Sequence, residues 1–106
     1  MTAADDLDRR LTLEAPVETD DGAGGVSLSY ESVATLWALV VPLGVRADVS
    51  ADSLGGASRY RIVIRKRDDV TTRHRFREGE TIYRILALSE SADRRFTDIS
   101  VERRED

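Results

Sequence analysis

Between Arg59 and Arg77 the chain reads RYRIVIRKRDDVTTRHRFR, which holds eight of its 16 basic residues against two acids, Asp68 and Asp69. Lys66 is the only lysine, so the basic chemistry is almost entirely that of arginine. The guanidinium group is a flat fork of donors that grips carboxylates and phosphates through paired hydrogen bonds. The stretch stands at +6 in a chain of net charge −4, so everything outside it stands at −10. Its chemistry is recognition of acidic surface, and the rest of the chain is itself acidic surface. The plainer reading of such a run is a solvated face.

Catalytic constellations are missing. His74 is the only histidine, and a general base also needs an orienting partner and a pocket. It reads as a packed or hydrogen-bonded structural residue. The pairs Asp5 with Asp6, Asp20 with Asp21, and Asp68 with Asp69 fall in the terminus or in turns, where aspartate is ordinary turn chemistry. GAGG, Gly22 to Gly25, lacks the lysine and the following helix of a phosphate loop. The chain has no cysteine, which removes disulfides and thiolate metal sites. No catalytic residue, metal or cofactor is expected, and the chain reads as a non-enzyme.

The elements that must position the arginines follow from hydrophobic alternation. A chain of 106 residues is one domain with a single modest core. Its sequence pI near 5.0 argues against indiscriminate nucleic-acid binding. The start MTAADDLDRR lacks an apolar signal core, and no run approaches the length of a membrane span, so a soluble chain with no membrane partner is expected. Short alternating runs separated by Gly, Pro or Asp are the mark of half-buried strands. RRLTLEAPV puts Leu11 and Leu13 on one face, with Pro16 confining that strand to an edge or ending it. The turn TDDGAGG leads into VSLSY, a first hairpin. ESVATLWALVVPL predicts a central strand buried on both faces, with Trp37 in the core and Pro42 at its end. IYRILALSE and RRFTDISVE supply the last strands, with Ile85 inward. The fold class expected is all-β: a small antiparallel β-barrel or sandwich of six to seven short strands. Residues 1–6 read as a flexible N-terminus, 44–58 as one long mobile loop and 103–106 as a charged tail.

The arginine stretch itself reads as a hairpin whose two strands must agree on the core side. A loop of three or five residues centred on Asp69 pairs Ile62 with Phe76 and Ile64 with His74. Those apolar residues join the core. The opposite face then gathers Arg59, Arg61, Arg65, Arg67, Arg73, Arg75 and Arg77. Like charges would stand opposite one another there, which is unfavourable without an acidic partner.

Taken in order, LDRRLTLEAPVETDDGAGG, WALVVPL, RYRIVIRKRDDVTTRHRFR and IYRILALSE resemble the head-tail joining proteins of tailed phages and of phage-derived gene-transfer particles. These are also called head-closure, stopper or adaptor proteins. The resemblance runs from about Leu7 to Glu102. It implies a head-tail connector domain over residues 1–106, made in the bacterial cytoplasm and built into the neck of the particle. It further implies a homo-oligomeric ring, six- or twelve-fold, with the portal/adaptor protein on one side and the tail terminator or tail tube on the other. Such a ring keeps packaged duplex DNA in the head until ejection through its channel.

The basic face would then meet DNA or an acidic neighbour. The neighbour is favoured, because a channel densely lined with arginine grips phosphates. The 44–58 loop, with Val45, Val49, Leu54, Gly55 and Gly56, would be the gate of such a ring. Other expectations are a tail terminator or adaptor of the same neck, or a free-standing nucleic-acid-binding barrel. The last would interleave aromatics with its basic residues to stack bases, whereas Tyr60 and Phe76 fall on the core side.

Overall fold

The computed structural model describes residues 6–46 and 57–104. Its strands are β1 (Arg9–Asp20), β2 (Val26–Arg46), β3 (Ala57–Arg65), β4 (Arg75–Glu78), β5 (Thr81–Glu90) and β6 (Phe96–Arg104). All pair antiparallel, in the order β1-β2-β3-β6-β5-β4, and β4 returns to β1 at Thr12 to Glu14 to close a barrel. The all-β antiparallel class expected from the alternation is the one adopted.

Period-two alternation decides the inside. Leu11 and Leu13 of β1, Ile62 and Ile64 of β3, Phe76 of β4, Ile85 of β5, and Ile99 and Val101 of β6 form one core, none more than 3% exposed. Burying each such side chain contributes about 1.5–3 kcal/mol relative to leaving it in water. Val70, from the β3–β4 connection, joins the same core. Tyr60 meets Tyr83 edge to face, with ring centroids 5.5 Å apart. The opposite parity makes a smaller cluster on the outer wall, where Leu7 folds over Val63, Phe96 and Leu39.

Five expectations are corrected. The arginine stretch is not a hairpin: β3 pairs with β2 and β6, whereas β4 pairs with β1 and β5. Both edges of β3 are taken, so the chain crosses the end of the barrel instead of turning back. The Lys66 amide donates to the Arg95 carbonyl at 3.0 Å, and His74 closes a turn on Thr71 before β4 starts. Ile62 lies between Val40 and Ile99, not opposite Phe76.

Trp37 is not core but 56% exposed. Leu13 pairs with Ala34 and Glu14 with Ser32, so Val33 is an extra residue in β2. After that bulge the even-numbered Leu36, Ala38 and Val40 face the core, and Trp37 faces out. An unbroken apolar run does not reveal which parity is inside.

Pro42 does not end β2, which continues to Arg46 past a second bulge at Leu43, with Gly44 at φ 114°. The loop expected at 44–58 is therefore strand at both ends, Val45 lying opposite Ser58 and Arg46 opposite Ala57. The tail expected at 103–106 begins inside β6, where Arg103 and Arg104 pair with Ser58 and Ala57.

Beyond Glu14 and before Ser32, the first two strands have only each other, since β4 reaches no further than Glu14 and β3 begins to pair at Ala38. They form a two-stranded arm rooted in the barrel. Pro16 sits there opposite Tyr30, on a strand with one neighbour, where its missing N–H costs nothing. At the tip, Asp21 Oδ1 accepts from the amides of Ala23 (2.8 Å) and Gly25 (3.0 Å), and Asp20 Oδ1 from Gly22 (2.9 Å).

Candidate assembly surface

The arm is held at its root by charge. Glu14 points outward yet is only 5% exposed, because β4 lays arginines over it. Arg75 stands directly across from Glu14, and its Nε donates to Oε1 at 2.7 Å. Arg77 approaches Oε2 at 3.8 Å. The Arg75 guanidinium also lies 3.7 Å from the centroid of the Tyr30 ring on β2, a cation–π contact. One side chain thus ties β4 to both strands of the arm. A buried carboxylate is tolerable only when paired in this way.

The remaining arginines of the stretch are distributed around the wall. Arg61 pairs with Asp98 at 2.7 Å, Arg67 with Asp69 at 2.7 Å, and Arg73 with Glu18 of the arm at 3.7 Å. The Arg67 hydrogen bond holds the Asp69 carboxyl below its ordinary value. Arg59 and Arg65 are exposed and form no ion pair among the described residues. Arg59 and Arg75 share one rung, running Arg59, Glu102, Arg84, Arg75, Glu14 across the sheet. Two strands stand between them, a separation of about 14 Å.

Arg84 was missed in sequence. It is exposed, stands directly opposite Arg75, and forms no ion pair among the described residues. Its signal was present, since Tyr83 and Ile85 face inward and leave Arg84 facing out. With Arg73, His74 and Arg75 it lines an open groove of about 410 Å³, walled on one side by Pro16, Glu18, Leu28 and Tyr30 of the arm and completed by Thr72 and Ile82. His74 Nδ1 lies 3.1 Å from the Thr71 amide and accepts from it, which leaves the ring proton on Nε2. That is a loop-bracing role. Tyr60 and Phe76 belong to the inner packing and offer no stacking platform.

A second feature of the wall is apolar. Val26, Leu28, Val33, Trp37 and Leu43 are all 43–65% exposed, and all lie on β2. Trp37 is touched from one side by Arg10, 5.5 Å from its centroid. Val49, Leu54, Gly55 and Gly56 lie outside the described residues. Among the described residues no group of three or more His, Cys, Asp or Glu is placed to hold a metal ion.

Residues 2–104 match the sequence model of the phage head completion protein family. The chain belongs to that family. A chain in the virion of a native gene transfer agent particle superposes with a TM-score of 0.78 at 27% identity, covering 92% of this chain and 94% of that one. Protein SF1141 from Shigella flexneri 2a, solved in solution, has a TM-score of 0.64 at 23% identity over 89% of each chain, a likeness of fold. No curated protein sequence matches.

The head completion family is one of structural proteins, which accords with a wall built from ion pairs, an arm and exposed apolar residues. What this member of the family offers is surface. Its interior is filled to the centre by its own side chains.

Proposed function

We propose that this chain completes the head of a phage or phage-like gene-transfer particle by forming a ring in the neck. The portal/adaptor complex lies on one side and the tail on the other, and the ring retains packaged DNA until ejection. The observation that carries this reading is the family match over residues 2–104, together with the likeness to a chain of a gene transfer agent virion. Barrel geometry supports the ring. Leu11, Leu13, Ile62 and Phe76 are fully buried at the centre of the barrel, so duplex DNA has no route through one subunit and must pass between many.

The test is a particle producer lacking only this gene. Heads should package DNA, fail to join tails, and lose their DNA to added nuclease, with all three defects reversed by the gene in trans. Tailed, nuclease-resistant particles from the deletion strain would overturn the proposal.

A further inference from the structure

Among the described residues nothing pairs with β2 at 26–37 on the side away from β1, since β3 begins to pair at Ala38. Val26, Leu28, Val33 and Trp37, four of the five large apolar residues left exposed among the described residues, lie on this same unpaired stretch. A free strand edge offers a row of N–H and C=O groups, and natural sheets guard it with proline, charge or cover. β1 follows that rule beyond Glu14, where β4 ends. Pro16 has no N–H to offer, Glu18 and Asp20 carry charge, and Arg73 comes within 3.7 Å of Glu18. β2 does not follow it. VSLSYES, residues 26–32, holds a single charge, Glu31, and neither proline nor lysine. The bulge at Val33 ends this regular stretch. One edge of the arm is closed to pairing and the other is open.

Charge selects what can fill the open edge. From Leu11 to Val45 there is no basic residue and there are five acids, Glu14, Glu18, Asp20, Asp21 and Glu31. Glu14 is covered by Arg75 and Glu18 is approached by Arg73. Asp20, Asp21 and Glu31 are exposed and form no ion pair among the described residues. Phosphates are repelled by such an arm, and a second copy's arm would set the same acids side by side. A basic strand is the complement.

We propose that residues 26–32 of β2 accept an extended, lysine- or arginine-bearing strand of a neighbouring protein of the particle, which pairs with the open edge as a third strand of the arm. This rests on the neck reading, which supplies the neighbour, and names what the neighbour offers. Backbone hydrogen bonds hold such a strand, and its alternate side chains select it. On one face of the arm its apolar residues lie beside the exposed Val26 and Leu28. On the other face, that of Ser27, Ser29 and Glu31, its basic residues meet Glu31. The Arg75 guanidinium over the Tyr30 ring holds β2 at the root of the arm, so the edge is already extended when the strand arrives.

The test uses particle-producing cells that lack the native gene and carry this chain with a photo-crosslinking residue in place of Ser27 or of Thr19. The two stand on one rung, Ser27 on the strand with the open edge and Thr19 one strand further away. A strand paired with β2 lies about 5 Å from the first and about 10 Å from the second. Crosslinked peptides from purified particles are identified by mass spectrometry. Position 27 should yield one segment of another particle protein, alternating apolar residues with Lys or Arg, at least about fivefold more than position 19. A second variant, Ser27→Lys with Ser29→Lys, puts charge on the edge at two exposed residues, and thermal melting confirms its fold. It should lower the yield of tailed particles at least about tenfold. The neutral Ser27→Thr with Ser29→Thr should stay within about twofold of wild type.

No crosslink from position 27, or one to DNA, to an acidic segment or to this chain itself, would overturn the proposal. Equal crosslinking from both positions, or a lysine variant that assembles normally, would do the same. Absence of the wild-type chain from purified particles would instead overturn the neck reading on which the proposal rests.

Discussion

Arg75→Ala is the substitution whose effect the structure determines most closely. It removes the 2.7 Å partner of a carboxylate whose side chain is 7% exposed, and the cation over Tyr30. Truncating one member of a buried pair costs about 3–5 kcal/mol, mostly because the other charge is left without compensation. Arg77 remains 3.8 Å from Glu14, and Arg75 is itself 27% exposed. Those two facts reduce the cost to about 2–3 kcal/mol, which lowers the melting temperature of a domain this size by roughly 10 °C. Glu14→Gln added to Arg75→Ala removes the orphaned charge and recovers at least about 1 kcal/mol, close to 5 °C. Melting curves of the wild type, both single variants and the double variant decide the matter. A melting point for Arg75→Ala within about 2 °C of wild type, or strictly additive losses in the double variant, would refute the reasoning.

Three further outcomes are expected. Trp37→Ala should change monomer stability by less than about 1 kcal/mol because the ring is half in water, and the emission of this only tryptophan should be red-shifted in the monomer and move to the blue on assembly. Phe76→Ala, at the fully buried centre of the barrel, should cost about 3–5 kcal/mol and leave little folded protein at 37 °C, as circular dichroism would report. Asp21, Asp69 and Asp93 are all held below the ordinary carboxylate value, by the Ala23 amide, the Arg67 side chain and the Ser91 hydroxyl respectively. Their stabilisation is full above the unfolded value of 3.8 and is lost as pH falls through the lower folded values, so melting temperature should decline below about pH 4, and less steeply in Asp21→Asn.

Strand parity was legible wherever charge marked one face. Arg61 and Arg65, flanking the pair at the opposite parity, placed Ile62 and Ile64 inward, and Leu11 and Leu13 were set against Arg10 and Thr12 in the same way. Pairing was not legible, because alternation says which side is buried and nothing about which strand lies alongside. The assumption that neighbours in sequence pair put β3 against β4, although the chain crosses the barrel end between them. In ESVATLWALVVPL no charge marks the outside, and the bulge at Val33, invisible in composition, set Trp37 outward. The Glu14 clamp escaped notice because its partner, Arg75, is 61 residues away. With the pairs Arg61–Asp98 and Arg75–Glu14 in place, reversing Arg61, Arg65 and Arg75 together must now be expected to destabilise the monomer, the opposite of what a crowded basic face implies.

The measurement that bears most directly on the central claim is a reconstruction of the neck of intact particles by electron cryomicroscopy. The account predicts a ring of these barrels around the DNA path, between the head and the first layer of the tail. Density for this chain elsewhere in the particle, or a neck whose rings are all accounted for by other proteins, would contradict it.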